Sequence, residues 1–176
     1  KNTNCNVRVN TNLSTTDTGI FELLCELPNV HWTVSVESIE DEYNYIRYHG
    51  NWRDFSNNIH VISKLDHKIT FNMLHFILNY KSIHSCVDYL KDKGFNDNSF
   101  VIGPLYSPPH LNTMNLPDEM MHEVLFDLND RLDKHPTGYL KNSYENLIEY
   151  YTTTNFKKNM KSFYYNLGSM DQRRKQ

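Results

Sequence analysis

Two short runs carry the side chains best suited to holding a polar ligand. Thr11-Asn12-Leu13-Ser14 and Ser35-Val36-Glu37-Ser38 each close a stretch in which apolar and polar residues alternate. Together they offer hydroxyls, an amide and one carboxylate, a donor and acceptor set for hydrogen-bonded recognition. Ser35 and Glu37 lie two apart, so on an extended strand their side chains share a face. Other chemistries find less support. The nine histidines show no HxH, HxxxH or HExxH spacing and are read as structural or exposed. No Gly-rich phosphate loop and no G-x-S-x-G elbow occur.

The elements around these runs form a repeating pattern. Asn6-Val7-Arg8-Val9-Asn10 alternates at period two, and Ile20, Leu23, Leu24 and Leu27 then fall on one helical face. Pro28-Asn29 stops that helix, and Trp32-Thr33-Val34-Ser35-Val36 reads as a second strand. A strand–helix–strand of this length implies parallel pairing, with ligand sites at the carboxyl ends of the strands. A polar connection follows over 39–51, then a helix on Trp52, Phe55, Ile59 and Ile62. A third strand runs through 67–77, a helix on Ile83, Val87 and Leu90 ends at Gly94, and a fourth strand covers 99–105. The remainder reads as helical: a stripe from Met120 to Leu132, a shorter helix around 144–151, and a stripe from Phe156 to Leu167. The expected fold class is α/β with parallel strands, part of a barrel or an open sheet, followed by a helical segment.

Composition narrows the function. A net charge of −3 argues against broad binding to nucleic acid or to an anionic membrane, and the short basic tail Arg173-Arg174-Lys175 does not alter that. No apolar run approaches the roughly 20 residues that span a bilayer. The polar opening, beginning at Lys1 and leading directly into a strand, predicts no signal peptide. Cys5, Cys25 and Cys86 are too few and too scattered for a disulfide framework, so a cytoplasmic setting is expected. Cys86 is expected to be a buried small hydrophobe. Alanine is absent and asparagine abundant, a bias that a low-GC genome would produce. Asn residues are therefore not read as functional on frequency alone.

Taken in order, the strand ends resemble those of radical S-adenosylmethionine (SAM) enzymes. Val9-Asn10-Thr11-Asn12 resembles the "TN" end of that family's third strand. Val34-Ser35-Val36-Glu37-Ser38 resembles the "VSxD" end of the fourth, with Glu37 where Asp is usual. Tyr45-Ile46-Arg47, followed by Gly50 and the run from Asn51 to Ile59, is similar to the "IR-x-G" segment after it. Phe71-Asn72 with Asn79, and Val101 to Leu105, fit the fifth and sixth strands. The likeness covers about 5–106, and the phrasing around Trp32 and Trp52 is most similar to the subgroup with a "twitch" auxiliary domain.

The resemblance implies a partial (β/α)6 TIM-type barrel over 1–116 and a helical extension over 117–176. It further implies a SAM molecule held against a [4Fe-4S] cluster, whose reductive cleavage gives a radical that attacks a peptide or small-molecule substrate. Carried over by position, the SAM contacts are Thr11, Asn12, Ser35, Glu37, Arg47 and the backbone at Leu105. Thr70 and Asn72 lie nearer the substrate. The family's CxxxCxxC cluster motif is not in this sequence. The expectation is thus a chain that begins downstream of that motif, or a relative without it, and in either case one inactive by itself. The alternative is a non-catalytic α/β ligand-binding or interaction module. An unrelated TIM-barrel fragment would show catalytic carboxylates or Lys at several strand ends, and only Glu37 does so.

Overall fold

The computed structural model describes residues 5–14 and 18–174. Lys1 and Lys175, named above for the opening and the basic tail, lie outside the described residues. Four strands, β1 (Val7–Thr11), β2 (Val30–Ser35), β3 (Lys68–His75) and β4 (Phe100–Pro104), pair in the order β1-β2-β3-β4, every neighbour parallel. Helices carry each return: α1 (Thr18–Cys25), then α2 (Glu40–Ile46) with α3 (Trp52–Ile62), then α4 (Ile83–Asp92). After β4 come α5 (Asp118–Lys134), α6 (Gly138–Thr153) and α7 (Met160–Arg174).

Register gives the sheet two unlike faces. Thr11, Val34, Phe71 and Phe100 stand level with one another, as do Val9, Trp32 and Ile69. This face is buried against Phe55, Ile59 and Ile62 of α3, Val87 and Leu90 of α4, and Leu140, Tyr144 and Leu147 of α6. Phe71 stacks on Phe100 at 5.4 Å and meets the edge of Phe95 at 4.8 Å, so aromatic rings fill its centre. The opposite face carries Arg8, His31 and Lys68, then Asn10, Thr33 and Thr70, then Ser35, Asn72 and Val101. All of these are exposed or half-buried. The outer edge of β4 is closed by α6, where the Ile102 amide donates to Ser143 Oγ at 2.9 Å. The helical segment after 117 therefore shares the core of the sheet.

The strands and α3 to α5 lie where their periodicity predicts. Cys86 is fully buried, as expected of a small hydrophobe. Gly94, with φ +98°, ends α4 in the left-handed conformation. Four elements differ from expectation, the last being α7, which begins at Met160 so that Phe156 precedes it, and on which Tyr164 is exposed. On α1 the half-buried stripe turned to the core is Phe21, Leu24 and Cys25, while Ile20 and Leu23 are 62% and 60% exposed. Both stripes have helical spacing, and the aromatic ring of Phe21 packs against Trp32 at 5.9 Å, which decides the rotation. The polar stretch 39–51 holds α2, whose only buried side chain is Tyr43 and whose first turn is Glu40, Asp41 and Glu42. Acidic groups there favour the helix N-terminus without leaving an apolar stripe. Helix α6 is longer than 144–151, because its first turn packs against the 97–99 turn and β4.

Candidate functional site

The carboxyl edge of the sheet is shaped by what each strand does on leaving it. After β1 the chain turns through Leu13, at φ +56°, which is driven into the core at 1% exposure. Thr11 Oγ1 accepts from the Leu13 amide at 2.9 Å, and Asn58 donates to the Leu13 carbonyl at 2.9 Å. Tyr43 O–H donates to the Asn12 carbonyl at 3.1 Å. Burial pushes the Tyr43 phenol above its ordinary range, so it stays a neutral donor. Thr11 thus stands on the helix-covered face and serves the turn, whereas Asn12 is exposed on the open one. Period-two alternation separates the two residues that the family pattern names together.

Ser35 and Asn72 are register partners on β2 and β3, and Asn12 lies one step past the Thr11–Val34 pair, level with Ser35. Among the described residues the Ser35 hydroxyl and the Asn72 amide make no hydrogen bond, and Asn12 Oδ1 takes only the Ser14 amide at 3.3 Å. Thr70 sits one pleat toward the amino end, with its hydroxyl on His31 Nε2 at 3.0 Å. The result is a polar shelf with donors and acceptors to spare.

Glu37 and Arg47 are brought together rather than left apart to face a ligand. Arg47 Nε and Nη2 donate to the two carboxylate oxygens at 2.8 and 2.6 Å, a bidentate fork. The Glu37 side chain is 7% exposed and that of Arg47 21%. Burial raises the Glu37 pKa above the usual carboxylate value, and the Arg47 charge and hydrogen bonds pull against that rise. The fork is held from behind. The Arg47 amide donates to the Tyr43 carbonyl at 2.9 Å, and the Gly50 amide to the Arg47 carbonyl at 2.6 Å.

Leu105 keeps the edge position, yet both its backbone groups are engaged: its amide donates to the His75 carbonyl at 3.1 Å and its carbonyl accepts from Asn112 Nδ2 at 2.8 Å. A carbonyl has a second lone pair, so it can still accept from a ligand, whereas the amide is spent. Two asparagines do structural work that the sequence conceals. Asn79, buried, donates to the carbonyls of Glu37 and Leu74 and accepts from the Phe76 amide, tying the ends of β2 and β3. Asn112 does the same for the loop after β4, bonding Leu105, Tyr150 and Met114. Their high frequency hides them; full burial is the only signal that separates them from surface Asn.

Helix α7 crosses this edge. Asn115 Oδ1 accepts from the Asn159 amide just before the helix, and Tyr45 of α2 donates to Asp171 at 2.7 Å near its end. Phe163 between them is buried. For an iron–sulfur cluster the donors do not fit: Cys5 is exposed, Cys25 half-buried on α1 and Cys86 buried on α4. Among the described residues no group of three or more His, Cys, Asp or Glu is placed to hold a metal ion. Nor, among them, is any helix long and apolar enough to cross a membrane. Neither a comparison with protein-family models nor one with curated proteins finds a match to this chain.

Proposed function

We propose that this chain is part of a radical SAM enzyme and that it contributes strands three to six of a partial (β/α)6 barrel. SAM would lie along the carboxyl edge of the open face. The observation that carries the reading is the adjacent pair Ser35 and Asn72, polar and, among the described residues, unpartnered at strand ends, with Asn12 beside them. Ser35 would donate or accept at the ribose or amino-acid group, and Asn72 and Thr70 would face substrate. Arg47 would meet the SAM carboxylate with the N–H groups its fork leaves over, and Glu37 would hold it in place rather than touch SAM itself. Leu105 would offer its carbonyl to the adenine. SAM supplies a cleavable sulfonium, and the [4Fe-4S] cluster that would cleave it needs ligands outside this sequence. The substrate is a small molecule or peptide.

The absence of a cysteine set within the chain favours one competing reading, a ligand-binding module without radical chemistry. An NMR titration of SAM into the chain tests the site. Amide shifts are expected at Asn12, Ser35 and Asn72, and Ser35→Ala should weaken binding by about 0.5–1.5 kcal/mol. Shifts confined to other surfaces, or unchanged affinity in both Ser35→Ala and Glu37→Gln, would remove the SAM reading. Nucleosides that bind at the same residues while SAM does not would favour the module.

A further inference from the structure

At the other end of the open face three basic side chains form a row. Arg8, His31 and Lys68 are register partners on β1, β2 and β3, so they project from one face. Each is separated from the next by one strand spacing, about 4.8 Å. They border a surface cavity of about 380 Å³ at the amino ends of the strands, which Asn6 and Asp66 also line. Among the described residues neither Arg8 nor Lys68 is in an ion pair. Arg8 and Lys68 stand two strand spacings apart with the His31 ring between them, so an anion seated over the row would be drawn by both charges.

We propose that the Arg8–His31–Lys68 row is a binding site for a small molecule carrying a chain of phosphates, distinct from the carboxyl edge. Arg forks onto phosphate oxygens and Lys serves as a point charge. The row spans roughly 10 Å across two strand spacings, too long for a lone carboxylate and suited to several linked anionic groups. His31 links the site to pH. Its Nε2 is on the Thr70 hydroxyl at 3.0 Å, and no partner of its other ring nitrogen is found among the described residues. Burial, then Lys68, then Arg8 lower its pKa, so it is neutral when the site is empty. Asp66 is the acid in the lining. An anion between the two flanking cations reverses their effect and draws a proton onto the ring, so binding strengthens as pH falls.

Tripolyphosphate titrated into the full chain by calorimetry is the first probe. Arg8→Gln and Lys68→Gln should each weaken it roughly tenfold to a hundredfold, one charge-assisted contact apiece. Sulfate, which does not titrate in this range, is the second, followed by NMR from about pH 7.5 to about pH 5.5. Its affinity should rise over that span in the native chain and stay level in His31→Gln. The exposed Arg8 variant keeps the fold if His31→Gln does not. Equal tripolyphosphate affinity in Arg8→Gln and Lys68→Gln to that of the native chain, or a pH response that survives His31→Gln, overturns the proposal. SAM-induced shifts at Ser35 are independent of all three variants.

Discussion

Removing the guanidinium from the Glu37–Arg47 fork should damage the fold in a way that depends on pH. In Arg47→Met the stem is kept and the charge lost, which leaves a carboxylate whose side chain is 7% exposed with no counter-charge. Deleting one partner of a fully buried pair costs about 3–5 kcal/mol. Arg47 retains 21% of its exposure, so water can reach the vacated place, and about 2–3 kcal/mol is expected near neutral pH. Glu37 has an escape: it can take up a proton. Its pKa already lies above the ordinary carboxylate value because of burial, and the two opposing contributions both come from Arg47. Without them the pKa climbs further in the folded state only. A folded-state carboxyl with a raised pKa binds more protons than the unfolded chain, so stability falls as pH rises from the unfolded value through the folded one. Lowering the pH should therefore return stability to Arg47→Met, by about 1.4 kcal/mol for each pH unit that separates the folded and unfolded values. Urea unfolding at about pH 7 and about pH 5 measures this against the native chain. Glu37→Gln in the same background should restore part of the loss, since an amide needs no counter-charge. A penalty under about 1 kcal/mol that ignores pH would show the fork to be an ordinary solvated ion pair.

Three further outcomes are expected. His75 is buried, and burial lowers its pKa to about 3, so it is neutral when folded and protonates on unfolding. Its contribution to stability is complete above about pH 6.5 and should fall by up to about 1.4 kcal/mol per pH unit below it; a slope in urea unfolding unchanged by His75→Gln would refute this. In Gly50→Ala the new Cβ would lie 2.7 Å from the Arg47 carbonyl oxygen, a backbone atom that cannot swing away. About 1–3 kcal/mol should be lost, and a loss below about 0.5 kcal/mol would show that the loop shifts freely. Asn79→Ala leaves the Phe76 amide and two strand-end carbonyls without their partner, at about 1–3 kcal/mol for each group left unsatisfied. Faster amide exchange confined to 74–79 in that variant would support the tie, and unchanged exchange there would refute it.

What the sequence disclosed followed from whether one local pattern was enough. The strands were legible because Val30, Trp32, Val34 and Val36 alternate with His31, Thr33 and Ser35, and burial follows that alternation without exception. Parallel pairing followed from the length of each return. The rotation of α1 was not legible, since Ile20-Leu23-Leu24 and Phe21-Leu24-Cys25 have the same spacing, and only the position of Trp32 chooses between them. Ser35, Asn72 and Asn12 came out on one face because alternation alone puts them there. Thr11 did not, for the same reason. The Glu37–Arg47 fork lies beyond any local rule, because the two residues are ten apart with a helix between them that carries no apolar stripe.

The two faces of the sheet bear on which α/β architecture the open side belongs to. A parallel sheet ordinarily has both faces covered and reads as near-continuous apolar runs. Here only one face does, and the other presents three polar rows, from Arg8-His31-Lys68 to the level of Ser35 and Asn72. A second helical layer would have to bury those rows, leaving charges and amides without partners at a cost of about 1–3 kcal/mol each. A closed TIM barrel would fill its interior with branched apolar side chains in layers and would need a strand beside β4. Neither requirement is met: the inward rows are polar, and the outward Ile102 amide of β4 is spent on Ser143 of α6. What the structure does present is a four-stranded parallel sheet with one open, polar face, its β4 edge held under α6. At the carboxyl edge of that face Ser35 and Asn72 are unpartnered among the described residues, and α7 reaches across from Asn115 to Tyr45, so a polar ligand laid along this edge would meet free donors and acceptors beneath a helix.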